Sequence, residues 1–341
     1  MDSKRKKQWA WQLPFLLLLI VGTVLIIRQQ RDMPYQKYSG SIFGTFYTVT
    51  YQSEYDYRLE IEAVLKQVDA EFSMFNEQST VSRFNRGEQP KLSPMFLEVY
   101  RLACTVAENT NGAFDPTVAP LVNAWGFGFK HEQMPTRQQV DSLLHFVGMR
   151  HLELDERQGL LRKDHPHTML DFSAIAKGFG VDQVARLLHK HDVRNYMVEI
   201  GGEVVTQGIS PNRVPWRIGV TKPTDDSLSV NGELQAVLSV TDRAMATSGN
   251  YRNFYYKGGR KYAHTINPLT GYPVQHSLLS ATVLAPDCAT ADAYATSFMV
   301  MGIQRAKELL ARHNELKAYF IYTDEHGQLA VWHSEGLVID N

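Results

Sequence analysis

Cysteine is scarce in this sequence, with only Cys104 and Cys288 among 341 residues. Two thiols are too few for a disulfide-rich scaffold, a zinc site built on cysteine or an iron–sulfur centre, so these classes are excluded. The two cysteines lie 184 positions apart. A disulfide between them would need support from another feature of the sequence, and none is present, so we interpret both as unpaired thiols.

The sequence also lacks low-complexity segments, internal repeats and an excess of either charge. It has 35 Lys and Arg against 36 Asp and Glu, and 44% of its residues are hydrophobic. This composition is typical of a globular protein and excludes a disordered or collagen-like chain. Residues 1–31 carry a net charge of +5, which leaves −6 on the rest. A mildly acidic body has no electrostatic footprint for nucleic acid, which we exclude as a partner.

The positive charge at the N-terminus precedes a long apolar run. Basic residues 4–7 are followed by Trp9 and Trp11, and residues 13–27 are uncharged and mostly apolar. This run lies between a signal-peptide core and a bilayer span of about 20 residues. We favour an uncleaved signal anchor at residues 1–31 over a removed signal peptide, with the N-terminus in the cytoplasm. Under either interpretation, residues 32–341 are an exported domain.

Strand-like and helix-like patterns are interspersed after residue 32, without the alternation of a doubly wound sheet. The β-branched and aromatic segment 40–51 predicts a strand or hairpin arm, and Thr136 with Gln139 predicts a capping box. Further strands are predicted at 168–172, 196–200, 216–220, 235–240, 278–284 and 318–322, and further helices at 181–189 and 291–312. We therefore predict an α+β fold in the exported domain.

Gly112 to Thr117 (GAFDPT) combine small residues and an aromatic residue after a predicted helix end, with Trp125 and Phe127 shortly downstream. Small residues let the backbone approach a ligand closely, and aromatic rings offer a stacking surface. A turn with core aromatics explains the same pattern. Both interpretations remain open from the sequence.

Asp171 to Gly178 (DFSAIAKG) are predicted to run from a strand into a helix. Such a turn presents unpaired N–H groups and the positive end of a helix dipole, which favour phosphate, and Lys177 would add a charge. The glycine spacings of the P-loop and of the Rossmann fingerprint are missing. By itself the segment is a weak indication of a phosphate site.

Two further features are candidates for chemistry. His264 lies among turn-forming residues in HTINPLTGYP, which places it in a loop, although a lone histidine is more often structural than catalytic. Asp292 and Thr296 are four residues apart in a predicted helix, so their oxygens project from one face. Hard oxygen donors of this kind suit Mg²⁺. Alternatively, Asp292 caps or solvates the helix start near Thr290.

Six segments, taken together, resemble the FAD:protein FMN transferases, the ApbE family of flavin-attaching enzymes. They are GAFDPTV, DFSAIAKG with Asp182 following, EIGGE at 199–203, ATSGNY, HTINPLTGYP and ADAYAT. With an early Gly-Thr strand, the match runs from about Gly40 to Gly302. Each motif is loose by itself, but their occurrence in the family's order is strong evidence for the resemblance.

The resemblance implies an α+β fold related to the T-fold type, with mixed sheets, packed helices and FAD in a cleft between them. It implies an Mg²⁺-dependent enzyme that moves the FMN moiety of FAD onto a threonine of an acceptor protein and releases AMP. The implied acceptor is a membrane redox subunit. The product would carry FMN through a phosphoester bond.

The resemblance also assigns residues to the site. Mg²⁺ would be held by the main-chain carbonyl of Ala174, the carboxylate of Asp292 and the hydroxyl of Thr296. His264 is our candidate for proton transfer or leaving-group stabilisation, because an unperturbed histidine titrates at about 6.5, and Asp292 would act in catalysis through the metal. The residues implied to contact FAD are Ala113, Phe114, Asp115, Asp171, Lys177 and His264.

Three positions depart from the family pattern. Phe43 stands where Met is common, Phe75 where Tyr is common, and Thr23 where many relatives have a lipidated cysteine. An aromatic or apolar flavin wall survives the first two changes, but a phenol hydrogen bond at position 75 does not. Two other functions fit the same residues, namely an Mg²⁺-dependent FAD pyrophosphatase that gives FMN and AMP, and an exported protein that only binds FAD.

The basic cluster ahead of the apolar run predicts the orientation of the chain. In intact spheroplasts, added protease is expected to digest the body beyond Arg31, because lysine and arginine hold the N-terminus in the cytoplasm. An immunoblot against the body measures this, with a cytoplasmic protein as the control. Digestion of the body only after permeabilisation would contradict export.

Overall fold

The structure is a computed structural model that describes residues 3–128, 134–223, 233–250, 254–257 and 260–340. The described strands are β1 Tyr35–Ile42, β2 Thr45–Gln52, β3 Leu152–Asp155, β4 Leu160–Lys163, β5 Tyr196–Ile200, β6 Glu203–Gln207, β7 Trp216–Thr221, β8 Leu234–Val240, β9 Arg243–Gly249, β10 Phe254–Lys257, β11 Arg260–Ala263, β12 Leu278–Ala285, β13 Lys317–Thr323, β14 Leu329–His333 and β15 Ile339–Asp340. The described α-helices are α1 Ser3–Asp32, α2 Arg58–Phe72, α3 Thr80–Asn85, α4 Pro94–Asn109, α5 Ala119–Ala124, α6 Arg137–Leu144, α7 Ala176–Lys190, α8 Cys288–Met301 and α9 Ile303–Leu310.

The main sheet has eight strands in the order β1-β2-β5-β6-β9-β12-β13-β14, and each neighbouring pair is antiparallel. On one face, Val198 and Ile200 of β5 pack with Val181 of α7 in a buried cluster. On the other face, Met245 of β9 packs with Leu238 of the smaller sheet β15-β8-β7. The mixed architecture of strands and packed helices that the sequence predicts is therefore confirmed, because an antiparallel sheet does not require doubly wound crossovers.

The predicted strand at residues 168–172 is wrong. These residues belong to no strand of the structure. The N–H of Leu170 donates to Oδ1 of Asn85 over 2.7 Å, and the N–H of Asp171 donates to the carbonyl of Pro116 over 2.7 Å. Because the side chain of Asn85 at the end of α3 and the carbonyl of Pro116 accept from these donors, the segment forms no ladder with a neighbouring strand.

The helix predicted over residues 291–312 is two helices, α8 and α9. Gly302 separates them with a φ of +77°, a conformation that ends a helix and that glycine adopts without strain. The capping box of Thr136 and Gln139 is confirmed at the start of α6.

Helix α1 contains the apolar run of the N-terminus. The large apolar side chains that the structure describes from Phe15 to Ile27 are each at least 50% exposed. In the part of the chain that the structure describes, no helix combines the length and apolar character needed to cross a membrane. The signal anchor therefore stays a prediction.

The start of α7 lies directly against the start of α8 at Gly178. A Cβ added at Gly178 would lie 2.3 Å from the carbonyl oxygen of Cys288, closer than real Cβ contacts come. Glycine at this position therefore sets the distance between the two helices. Cys288 itself is buried and unpaired, and Cys104 is also unpaired, as the sequence predicts.

The close contact of the helices predicts the effect of added bulk. We expect Gly178→Ala to lower the free energy of unfolding by about 1–3 kcal/mol, because the clash is with backbone that cannot move alone. Gly180→Ala is the matched control, since its Cβ would meet the ring of Phe43, a side chain that can shift. Denaturant unfolding of both variants measures the difference. Equal, small effects would contradict a tight contact at Gly178.

Candidate active site

Three charged side chains meet where α7 and α8 pack beside the start of β6. The Nζ atom of Lys177 lies 2.6 Å from Oε1 of Glu203 and 3.9 Å from Oδ1 of Asp292. The side chains of Glu203 and Asp292 are only 4% and 3% exposed, whereas that of Lys177 is 30% exposed. The fold thus brings together Lys177 and Asp292, which the sequence indicated separately, and adds Glu203.

Burial and ion pairing together set the charges of this cluster. Burial raises the pKa of Glu203 to about 7, with Lys177 opposing the shift. Burial also raises the pKa of Asp292, and Lys177 and the N–H of Gly178 oppose it. Burial would lower the pKa of Lys177, but the attraction of Asp292 and Glu203 outweighs it and raises the pKa. The lysine therefore keeps its positive charge at physiological pH.

The second carboxylate oxygen of Asp292, Oδ2, accepts a hydrogen bond from the first turn of α7. The N–H of Gly178 donates to Oδ2 of Asp292 over 3.1 Å. Ala174 precedes α7, whose first i→i−4 bond runs from the N–H of Phe179 to the carbonyl of Ile175, so the N–H of Gly178 is one of the donors that a helix start leaves without an intrahelical acceptor. Among the residues that the structure describes, no backbone N–H donates to the Ala174 carbonyl. That oxygen is therefore available to a ligand, as the predicted metal site requires.

Thr296 lies one helical turn after Asp292, and its Oγ1 is 3.1 Å from Oγ of Ser248 on β9. A carbonyl, a carboxylate and a hydroxyl are all hard oxygen donors, and a set with few protein ligands suits Mg²⁺, which retains waters or phosphates. The described ranges contain no group of three His, Cys, Asp or Glu able to hold a metal ion. The carbonyl of Ala174, the carboxylate of Asp292 and the hydroxyl of Thr296 nevertheless form a set of oxygen donors with one carboxylate, and such a set fits Mg²⁺.

Glu203 is the member of the cluster to which the sequence analysis assigned no role. Its only signal was its place in EIGGE, directly after two glycines. The Oε2 atom of Glu203 is buried and has no hydrogen-bond partner among the described residues. An unpaired buried carboxylate oxygen costs free energy. The site therefore contains a buried acceptor that has no donor in the described part of the chain.

Asp182, which follows the DFSAIAKG motif, has a structural role. Its two carboxylate oxygens each accept a hydrogen bond of 2.8 Å from the first two N–H groups of α8. Asp287 completes the cap by accepting from the N–H of Thr290 over 2.8 Å. Because these two residues cap α8, the alternative role of Asp292 as a cap is wrong.

The GAFDPT segment turns sharply after α4. Gly112 has a φ of +79°, and the side chains of Ala113 and Phe114 are 2% and 3% exposed. Phe114 belongs to the main hydrophobic core, so its ring packs against protein. For this ring, the structure therefore agrees with the interpretation of the segment as a turn with core aromatic residues. A ligand at the segment would meet its backbone.

Asp115 and Asp171 lie close together although they belong to different motifs. Oδ1 of Asp115 accepts from the N–H and the hydroxyl of Thr117, at 2.8 and 2.6 Å, and burial raises the pKa of Asp115. The N–H of Asp171 donates to the carbonyl of Pro116 in the same segment. The first two motifs are thus joined in the fold, as the prediction of a common site requires.

His264 lies in a loop that is tied to the edge of the same site. Its ring centroid is 6.4 Å from that of Phe127, in an edge-on arrangement. The hydroxyl of Thr265 donates to Oδ1 of Asn250 over 2.8 Å, and Asn250 follows the end of β9, two residues after Ser248. The loop is therefore connected to the strand that contacts α8.

The two aromatic departures from the family pattern have different surroundings. Phe43 has a φ of +54° in the turn between β1 and β2, and its ring lies beside Gly180 of α7. The side chain of Phe75 is 82% exposed. Their part in a flavin wall stays a prediction.

Comparison with known proteins gives consistent matches over most of the chain. The sequence profile of the ApbE family matches residues 43–320. The FAD:protein FMN transferase of Haemophilus influenzae is 40% identical over 316 residues, which cover 87% of this chain and 89% of that protein. The FAD:protein FMN transferase of Escherichia coli is 35% identical over 285 residues, which cover 80% and 79%.

Solved structures show the same similarity. The flavin transferase ApbE from Vibrio cholerae superposes with a TM-score of 0.78 at 35% identity, covering 89% of this chain and 98% of that one. The ApbE protein from Thermotoga maritima superposes with a TM-score of 0.77 at 28% identity, covering 89% and 97%.

The buried cluster predicts a pH-dependent loss of stability when Lys177 is replaced. In Lys177→Met, burial raises the pKa of both carboxyl groups without an ammonium to oppose it. The folded chain then binds protons that the unfolded chain releases, so stability should fall as the pH rises from about 5 to 8. At pH 8 we expect a loss of about 3 kcal/mol.

Urea unfolding of Lys177→Met at several pH values measures this loss. Lys190→Met, at the exposed end of α7, is the control and should leave the pH dependence unchanged. If the free energy of unfolding of Lys177→Met depends on pH as that of the wild type does, the ion pairs do not offset the burial of the carboxylates.

Proposed function

Because the chain belongs to the ApbE family, we propose that it is an FAD:protein FMN transferase that requires Mg²⁺ and modifies a threonine of its acceptor. The observation that carries the proposal is the contact of α7 and α8. There Lys177 and Asp292 meet, and the carbonyl of Ala174, three residues before Lys177, accepts no backbone hydrogen bond in the described part of the chain. A fixed positive charge and a set of oxygen ligands are what a pyrophosphate with its cation needs.

In the proposed reaction, the threonine Oγ of the acceptor attacks the phosphorus on the FMN side of the FAD pyrophosphate. The bond from this phosphorus to the bridging oxygen breaks, AMP leaves with that oxygen, and the hydroxyl gives up its proton. Such a transfer depends on alignment and on neutralising oxygen charge more than on covalent help. Mg²⁺, held by Ala174, Asp292 and Thr296, would supply charge neutralisation at the pyrophosphate oxygens.

The remaining site residues bind and orient the substrates. Lys177 places a positive charge at the phosphates, and His264 moves a proton at the acceptor hydroxyl or the leaving group. Asp115 and Asp171 contact FAD from their joined segments, together with the backbone of Ala113 and Phe114. We place FAD in a cleft between the sheets of a T-fold-like domain. This placement follows from the resemblance to the family.

We also propose that the enzyme works at the periplasmic face of a bacterial inner membrane. The basic residues 4–7 ahead of the apolar run support this orientation. The exposed apolar side chains of α1, such as Leu18 and Ile26, support burial of that helix in another apolar environment. An acceptor that is itself a membrane redox subunit would then be within reach.

Asp292→Asn tests the metal assignment, because it removes the one carboxylate of the proposed set while keeping its shape. We expect FMN transfer to fall by about 100-fold or more, as when a group that neutralises transition-state charge is lost. FAD binding should fall much less, since it also depends on Lys177. The mass of the acceptor across a Mg²⁺ titration measures transfer, and flavin fluorescence measures binding.

Asp287→Asn is the matched control on the same helix, since asparagine is an equally good N-cap, and it should keep wild-type transfer. Wild-type transfer by Asp292→Asn at low Mg²⁺ would refute the metal site. Release of free FMN and AMP by the native protein, with an unmodified acceptor, would show a pyrophosphatase instead. Unchanged FAD in the presence of Mg²⁺ and acceptor would show a protein that only binds FAD.

A further inference from the structure

The proposed metal site has a competitor inside the protein. Asp292 supplies its only carboxylate, yet the ammonium of Lys177 lies 3.9 Å from Oδ1 of that residue. A lysine that moved closer would form a direct, charge-assisted hydrogen bond with the same oxygen. Metal binding therefore depends on where the ammonium is held.

We propose that Glu203 is a positioning residue that holds the Lys177 ammonium away from Asp292 and so leaves this carboxylate to the cation. This inference rests on the proposed function, because it takes Asp292 as a metal ligand. Glu203 acts through Lys177 and need not touch the metal or FAD.

The distances favour this role. Lys177 is within hydrogen-bond distance of Glu203, at 2.6 Å, but not of Asp292, at 3.9 Å. The other oxygen of Glu203 has no partner in the described part of the chain. The protein contact that the structure gives this buried carboxylate is therefore the lysine, as expected of a residue that positions it.

The backbone fixes Glu203 in place. It is the first residue of β6 and pairs with Ile200 of β5 across a two-residue turn. Both turn residues are glycines with positive φ, +64° at Gly201 and +105° at Gly202, a conformation typical of tight hairpins. Because the hairpin belongs to the main sheet, the backbone of Glu203 is fixed, and its carboxylate holds the ammonium of Lys177 at the start of β6.

The test measures metal binding without FAD or acceptor, so it does not depend on turnover. Mn²⁺ binding to the full chain is followed by electron paramagnetic resonance and Mg²⁺ binding by calorimetry. In Glu203→Gln the ammonium is released toward Asp292, and we expect metal affinity to fall by about 10–100-fold, as for other residues that orient ligands from outside the coordination sphere.

A second substitution separates positioning from simple loss of charge. In the double variant Glu203→Gln with Lys177→Met, the competing ammonium is gone, so metal affinity should return to within about threefold of that of Lys177→Met alone. Glu199→Gln is the matched control, because it makes the same change in the neighbouring strand on the opposite face of the sheet from Glu203. Its metal affinity should equal that of the wild type.

Three outcomes would overturn the inference: wild-type affinity in Glu203→Gln, a double variant as weak as Glu203→Gln, or an equal loss in Glu199→Gln. If Glu203→Gln does not fold, the metal affinity of Lys177→Met is compared with that of the double variant. The two affinities should agree, since Glu203 should not matter without the lysine. Failure of the native protein to transfer FMN would refute the proposed function and leave this binding result intact. Normal FMN transfer by the native protein, together with unaltered metal binding in Glu203→Gln, would refute this inference and leave the proposed function intact.

Discussion

The contact between the first turns of α7 and α8 is the constraint on which the site depends. Without a side chain at Gly178, the backbone of α7 reaches the backbone of Cys288. This approach lets the carboxylate of Asp292 accept the N–H of Gly178. The carbonyl of Ala174, just before α7, accepts no backbone hydrogen bond in the described part of the chain. One missing Cβ thus lets the carboxylate of Asp292 meet the start of α7 and Lys177, which lies 115 positions earlier in the chain.

The charges at this contact do not cancel. Two buried carboxylates, Glu203 and Asp292, face one ammonium, that of Lys177. A dry site with two anions and one cation has a negative excess when all three are ionised, and burial resists that excess by raising the pKa of the carboxyl groups. The hard oxygen donors of Ala174, Asp292 and Thr296 are the feature that points to a divalent cation.

The motifs combine structural and chemical residues, and the structure separates the two. Phe114 packs in the core and Asp182 caps α8, so both support the scaffold. Lys177 and Asp292 are held by the same scaffold, but their charged groups meet at the helix contact. Capping by Asp182 matters to the chemistry only indirectly, because it fixes the helix on which Asp292 lies.

Local signals in the sequence determined the mixed fold and the capping box at Thr136. They also determined that Asp292 and Thr296 lie on one face of a helix. Each of these features depends on residues that are only a few positions apart. The sequence failed at residues 168–172, where β-like composition is overridden by hydrogen bonds to Asn85 and Pro116. It also gave no role to Glu203. The position of that side chain relative to Lys177 depends on the packing of a hairpin against two helices, and only the tertiary structure decides long-range packing of this kind.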